Sequence, residues 1–376
     1  MPVLAVTKER RAGEARVAVT PDSAGKLAAL GLDVVVEAGA GLAAAAPDAA
    51  YAAAGARIAE GAAAALRDAD LVFKVRGPSD EEIAELKPGA LVVGLLDPYR
   101  ERGLAETLAA RGATVFAMEL VPRITRAQAM DALSSQANLA GYRAVIEAAA
   151  AFGRALPMMM TAAGTIAPAK VFVMGAGVAG LQAIATARRL GAVVTATDVR
   201  AAAKEQVESL GARFVAVEDD EFRAAETAAG YAREMSADYQ ARQAALVADH
   251  IKKQDIVVTT ALIPGRAAPK LVSAEHVASM KPGSVLVDLA VEQGGNVAGA
   301  RAGEVVERGG VRILGIANLA SRIATDASAL YARNLTAFAG LLMKDGQLAP
   351  DFDDEIVAAA LVARGGAVVH PALRAA

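Results

Sequence analysis

The sequence predicts an α/β protein of two domains, each a parallel sheet wrapped by helices, joined by two long helices. Three observations lead there. Ten apolar β-type runs alternate with alanine-rich helical stretches. Most runs are continuously apolar, as strands buried on both faces must be, and that pattern belongs to parallel sheets covered on both sides. The runs also fall into two groups of five, separated by residues 126–170. A chain of 376 residues has room for two or three domains.

The first group is 3–6, 32–36, 71–75, 90–95 and 114–118. The second is 171–174, 193–197, 255–260, 284–291 and 311–316. Between them, 131–152 reads as a long helix interrupted by no glycine except Gly141. A second long helix is expected over 324–344, where Leu330, Leu335, Phe338 and Leu342 recur at helical spacing. Both are read as struts. The expected division is therefore residues 1–130 with 345–376 as the first α/β domain, and 131–344 as the second. The second includes the linking helices and an arm at 155–170, and the tail after Ala349 returns to the first.

The arm contains Pro157-Met158-Met159-Met160 and turns near Gly164. It reads either as a linker with core methionines or as a hairpin that buries its flexible thioethers against a second subunit. Residues 218–253, charged and alanine-rich around Tyr231, are too long for a simple connection and read as a lid or binding loop.

Composition excludes much. Hydrophobic residues make up 55% of the chain, but about a quarter of all residues are alanine, so the apolar content is no membrane signal. No uninterrupted apolar run is long enough to span a bilayer, and the charged start reads as lacking a secretory signal. There is no cysteine, which removes disulfides, thiolate metal sites and cysteine nucleophiles. His250, His276 and His370 lie far apart, so no metal site is expected. A net charge of −3 with mixed signs gives no nucleic-acid stripe. The pairs Lys252-Lys253 and Arg188-Arg189 read as solvated helix faces.

The strongest motif is Gly175-Ala176-Gly177-Val178-Ala179-Gly180, with a strand before it, a helix after it, and a second strand closing on Asp198-Val199-Arg200. Every context element of a Rossmann-like dinucleotide fingerprint is present. Gly175 allows the tight turn, Gly177 lets a pyrophosphate approach the backbone, and Gly180 lets the helix pack on the sheet. The N–H groups of residues 176–179 and the helix dipole are expected to face the anion. Asp198 lies where a carboxylate accepts from a ribose 2′-hydroxyl and repels a 2′-phosphate, which favours NAD(H) over NADP(H). Arg200 works against that preference. Leu262 and Glu292 follow later strands of the group and are candidates for lining the crevice, or ordinary turn residues.

Four stretches carry a family resemblance: Arg16-Val-Ala-Val-Thr-Pro21; Pro122-Arg123 through RITRAQAMDALSSQANLAGY to Tyr142; the fingerprint; and Ala261-Leu-Ile-Pro-Gly265 with Glu292-Gln-Gly-Gly-Asn296. Together they resemble the alanine dehydrogenase/transhydrogenase family over nearly the whole chain. The second stretch is similar to the transhydrogenase branch, specifically its soluble NAD(H)-binding alpha subunits. The resemblance implies hydride transfer from NADH held here to NADP⁺ held by a separate NADP(H)-binding beta subunit, coupled to proton movement through membrane components that include a small alpha subunit. A homodimer formed through the methionine arm is expected, peripheral at the inner face of the cytoplasmic membrane through its partners. Arg123, Gln128, Asp131 and Ser134 match the segment that holds the nicotinamide end: Asp131 and Ser134 on the carboxamide, Gln128 towards the partner's nucleotide. Tyr231 and Met235 match a loop closing on the nucleotide, while Gly230, Gln243 and Leu262 match positions lining it. From the residues alone, Arg123, Gln128 and Asp131 also read as capping and solvating the helix that follows.

Two other readings compete. A self-sufficient alanine dehydrogenase needs a cationic anchor for its substrate and an acid–base residue. Arg16 and Lys74 stand at the anchor positions, but Leu95-Leu96-Asp97-Pro98-Tyr99 lacks the histidine of that branch, and Glu292 stands where that branch has aspartate. A non-catalytic NAD(H)-binding module is the third reading.

Overall fold

The computed structural model describes residues 1–223, 236–263 and 265–374. The chain divides into two compact units, 1–136 with 320–376, and 137–319.

Among the described residues, the first unit holds an eight-stranded sheet. Its order is Ala367–Val368, Leu361–Arg364, Thr114–Ala117, Leu91–Gly94, Leu71–Phe73, Val3–Val6, Asp33–Glu37, Arg57–Ala59. The six strands from Thr114–Ala117 to Arg57–Ala59 are parallel. Leu361–Arg364 runs antiparallel to Thr114–Ala117, so the tail does return to this unit. Order reverses at Val3–Val6, which lies between the second and fourth strands; this is the switch point of a doubly wound sheet. Leu71–Phe73 and Leu91–Gly94 are buried at every position, which is why both read as continuous apolar runs.

The helix Ala324–Leu342, expected in the second domain, belongs to this unit. Tyr331, Leu335, Phe338 and Leu342 are fully buried in the same core as Leu4, Val6, Phe73 and Phe116. Phe116 and Phe338 meet edge to face at 5.6 Å. Helical spacing marks the apolar face, but it could not say which sheet that face would cover.

Among the described residues, the second unit holds a seven-stranded sheet. Its order is Arg213–Phe214, Val193–Thr197, Lys170–Met174, Ile256–Thr259, Val285–Asp288, Val311–Leu314, Val305–Arg308. All neighbours are parallel except the last pair. The switch point lies between Lys170–Met174 and Ile256–Thr259. Helix Val178–Arg189 buries Ala183, Ile184 and Ala187 against Val171, Val173 and Val194. Its last turn carries Arg188 and Arg189, which complement the carboxyl end of the dipole.

The arm is a short hairpin of Met159–Thr161 and Gly164–Ile166. Met158, Met159 and Met160 are 61%, 43% and 79% exposed, so they are not core methionines of this chain. Helix Ala132–Ala151 crosses the boundary between the units, and a second long helix, Ala237–Ile251, lies within the expected lid segment.

Candidate functional site

The glycine elbow sits at the carboxyl end of Lys170–Met174. Gly175 has φ +106°, a backbone conformation that side chains disfavour, and an added Cβ would meet Thr260 Oγ1 at 2.6 Å. The Thr260 hydroxyl donates to the Gly175 carbonyl at 3.0 Å, which ties the two switch-point strands together just past their ends. At Gly180 a Cβ would lie 1.8 Å from the Gly175 carbonyl oxygen, so only glycine lets this helix approach the sheet. Gly177 is different. Its φ of −76° suits any residue, and a Cβ there would meet nothing within 4 Å. The protein does not need glycine at 177; open space in front of the backbone is what the position supplies.

Gly177 caps the twelve-residue helix without any side-chain hydrogen bond. The first amides of a helix have no intrahelical acceptor. The N–H groups of Gly177, Val178 and Ala179 have no partner among the described residues. The Ala176 N–H, expected to face an anion, donates instead to Asp198 Oδ2 at 2.7 Å. A carboxylate one strand away captures it, so the expected four-amide cradle is a three-amide one.

Asp198 closes Val193–Thr197 as the sequence requires, but it is fully engaged. Oδ1 accepts from the Arg200 N–H at 2.8 Å and from Arg200 Nε at 2.9 Å; Oδ2 accepts from Ala176 and, at 3.1 Å, from Arg200 Nη2. These four bonds fill the acceptor capacity of the carboxylate. A ribose hydroxyl must displace the guanidinium to reach it. Val199 stands exposed beside this pair. Gln243 braces the same loop, donating to Thr197 Oγ1 at 3.1 Å and accepting from the Val217 N–H at 2.9 Å. Leu262 is 46% exposed on the loop after Ile256–Thr259. Glu292 is exposed and accepts from the Asn318 N–H at 3.1 Å. Gly230, Tyr231 and Met235 lie outside the described residues.

Three residues without an expected role in the site shape this region. Asn296, fully buried, accepts from the Ala261 N–H at 3.1 Å and donates to the carbonyls of Ala261 and Pro269 at 2.9 and 2.8 Å, pinning both ends of the Leu262 loop. Asp288, fully buried, accepts from the N–H groups of Ala290 and Val297, both at 2.9 Å. At Gly141, a Cβ would lie 2.1 Å from the Ala179 carbonyl oxygen, so the one glycine of the long helix lets it press on the elbow.

The first unit's switch point is built in the opposite way. Lys74, 1% exposed, follows Leu71–Phe73, and its ammonium donates to Thr7 Oγ1 at 3.0 Å, the Lys8 carbonyl at 2.9 Å and Glu82 at 3.2 Å. Glu9 stands 3.6 Å from the same nitrogen, and burial pushes its carboxyl above the ordinary range. Arg16, 3% exposed, is held by Glu14 through Nε and Nη2 at 2.7 and 2.6 Å, and Nη1 donates to Gln136 at 2.8 Å.

Asp131 caps helix Ala132–Ala151: it accepts from the Ser134 N–H at 2.8 Å and the Ser134 hydroxyl at 2.5 Å. The structure thus brings Asp131 and Ser134 together. Arg123 and Gln128 precede this cap in sequence, both exposed, and among the described residues neither side chain has a hydrogen-bond or ion-pair partner. No group of side chains able to hold a metal ion occurs among the described residues, and no described helix is long and apolar enough to cross a membrane.

Family models for the N- and C-terminal domains of alanine dehydrogenase/PNT match residues 5–140 and 144–371. The chain belongs to the alanine dehydrogenase/PNT family. It is 54% identical over 377 aligned residues to the first part of NAD(P) transhydrogenase subunit alpha of Rhodospirillum rubrum, covering 98% of each chain. It is similar to the crystal structure of transhydrogenase from Sinorhizobium meliloti, with 58% identity, a TM-score of 0.90, and coverage of 98% of this chain and 100% of that one. An alanine dehydrogenase of Halomonas elongata is 34% identical over 295 residues, 78% of this chain and 73% of its own. Within the alanine dehydrogenase/PNT family, then, the chain is more nearly identical in sequence to these transhydrogenase proteins than to this dehydrogenase. The two switch points, one open and one filled, are the features that a functional reading of this family member must use.

Proposed function

We propose that this chain is the NAD(H)-binding subunit of a proton-translocating NAD(P) transhydrogenase. The observation that carries the reading is the open elbow at Gly177: three unpartnered amides and the positive end of a helix in front of open space, with Asp198 one strand away. Gly177, Val178 and Ala179 would hold the pyrophosphate of NAD(H). Asp198 would take the adenosine ribose once Arg200 swings aside, and its negative charge disfavours a 2′-phosphate. When bound, NADH supplies a hydride from C4 of its ring to C4 of NADP⁺ on a partner subunit. Such a transfer moves no proton on or off a substrate, so it asks for orienting polar groups and exclusion of water rather than an acid–base pair. Asp131 and Ser134 are suited to orient the carboxamide. The unpartnered amide of Gln128 is free to face a second nucleotide, and Arg123 precedes it in the same segment. Gly230, Tyr231 and Met235 are assigned to the loop that closes over the nucleotide, with Gln243 and Leu262 lining the site.

The partners of this reading are an NADP(H)-binding beta subunit and a small membrane alpha subunit. The exposed methionine hairpin is the surface through which two copies pair. The chain would then lie at the inner face of the cytoplasmic membrane, held by protein contacts.

The dehydrogenase reading loses ground on one point. Arg16 and Lys74, the two cations that could anchor a substrate carboxylate, already have their donors committed to the chain's own acceptors. The test mixes the purified chain with its NADP(H)-binding partner, NADH and a thio-analogue of NADP⁺. Hydride exchange that needs both proteins supports the proposal. NADH formation from alanine and NAD⁺ by the chain alone contradicts it.

A further inference from the structure

A pocket of about 200 Å³ opens at the other end of the second unit's sheet, at the amino ends of strands whose carboxyl ends carry the elbow. Lys170, Arg213, Lys253, His250, Thr195 and Gln254 line it. Strand register assembles it: Lys170 stands opposite Val193, and Thr195 opposite Arg213, in neighbouring parallel strands. Helix Ala237–Ile251 adds His250 in its last turn, followed by Lys253 and Gln254.

The charges do not balance. Among the described residues, the side chains of Lys170, Arg213 and Lys253 make no ion pair. The nearest acid in sequence, Asp255, is committed elsewhere: it accepts from the Lys170 N–H at 2.8 Å and pairs with Lys281 at 3.2 Å and Arg154 at 3.7 Å. The helix ends nearby offset part of this charge, but a helix carboxyl end carries only about half a negative charge, against three cations. The pocket keeps a net positive field.

Buried polar groups form part of its lining. Thr195 and Gln254 are 6% and 3% exposed. His250 Nε2 lies 2.8 Å from Thr195 Oγ1 and 3.1 Å from Gln254 Nε2. The same Gln254 nitrogen donates to the His250 carbonyl at 3.0 Å, which orients the amide beside the ring. Burial, together with Arg213, Lys253 and Lys170, holds the imidazole below its ordinary range. Val193 is the one apolar residue at the rim.

We propose that this pocket binds a phosphate-class oxyanion, separate from the nucleotide elbow at the opposite end of the sheet. Three cations line one concave site that has no carboxylate among its lining residues, and a compact dianion completes that arrangement. Such a group can come from free phosphate or from a phospholipid headgroup.

The test uses the full chain and the double variant Arg213→Gln/Lys253→Gln, both of whose sites are exposed. Pyrophosphate is titrated by calorimetry. In a second arm, the protein is sedimented with phosphatidylcholine vesicles with and without phosphatidic acid. Saturable pyrophosphate binding that weakens at least about tenfold in the variant supports the proposal with a free anion as source. Sedimentation that requires phosphatidic acid and disappears in the variant supports it with a headgroup as source. Thermal stability of the unliganded variant should match the parent, since no ion pair is lost. The proposal is overturned if neither probe binds, or if binding is equal in parent and variant, because an anion held at the elbow would survive the double substitution.

Discussion

Two doubly wound sheets in one chain treat their switch points in opposite ways. In the first unit, the gap beyond Val6 and Phe73 is filled by Lys74, Thr7, Glu82 and Glu9, whose donors and acceptors satisfy one another. In the second, Thr260 bridges the gap beyond Met174 and Thr259, its N–H donating to the Met174 carbonyl and its hydroxyl to the Gly175 carbonyl, and the amides in front of it have no partner among the described residues. Fold alone does not mark a ligand site. Polar groups left without partners at the right place in the fold do.

The largest expected effect breaks the filled switch point. Glu82→Ala leaves Lys74 buried without its main counter-charge and should cost about 3–5 kcal/mol of stability. NADH affinity should not change, because the elbow belongs to the other unit. Denaturant unfolding and an NADH titration check the two halves; a stability loss under about 1 kcal/mol would mean that the network is not structural.

The second prediction separates the glycines of the elbow. Gly180→Ala forces a Cβ against the Gly175 carbonyl and should destabilise by about 3 kcal/mol while abolishing NADH binding. Gly177→Ala meets no protein atom, so stability should hold while NADH affinity falls at least about tenfold. Equal stability losses in the two variants would erase the distinction between a packing glycine and a ligand-facing one.

The third concerns pH. In the first unit Glu119 accepts from the Asp97 N–H, its Oε2 is buried with no partner among the described residues, and burial pushes its carboxyl up from 4.5 to about 7. The folded chain therefore keeps a proton that the unfolded chain releases, and stability falls as pH rises from about 4.5 to about 7, by roughly 3 kcal/mol at most. Glu119→Gln keeps the accepting oxygen and should flatten that slope in unfolding measured across the same range. An unchanged slope would place the titration elsewhere.

These contrasts also show what the sequence could and could not reveal. All ten runs read as strands are strands, because burial on both faces leaves an unbroken apolar signature. The strands Arg57–Ala59, Val305–Arg308 and Ala367–Val368 escaped because they are short, partly exposed and carry no such run. The roles of Gly175 and Gly180 follow from spacing alone. The grip of Arg200 on Asp198, the capture of the Ala176 amide and the neutralisation of Lys74 by Glu82 depend on side-chain directions that spacing does not encode. The basic pocket is similar: Lys170, Arg213 and Lys253 are distant in the chain, and Lys253 reads as a solvated helix face until the end of helix Ala237–Ile251 brings it beside the other two.

Smaller effects sharpen the open site. Asp198→Asn removes the charge that pairs with Arg200; NADH affinity should drop about tenfold, and loss of the negative charge should improve NADPH binding. Parallel titrations check this, and a drop for both nucleotides alike would remove Asp198 from the selectivity. Gln128→Ala, at an exposed and unpartnered side chain, should leave stability and NADH affinity within about twofold, yet slow hydride exchange with the partner subunit.

The most direct measurement is a pair of calorimetric titrations of the isolated chain, one with NADH and one with NADPH. The account predicts saturable one-site binding of NADH and at least about tenfold weaker binding of NADPH. No NADH binding, or equal affinity for the two, would contradict it.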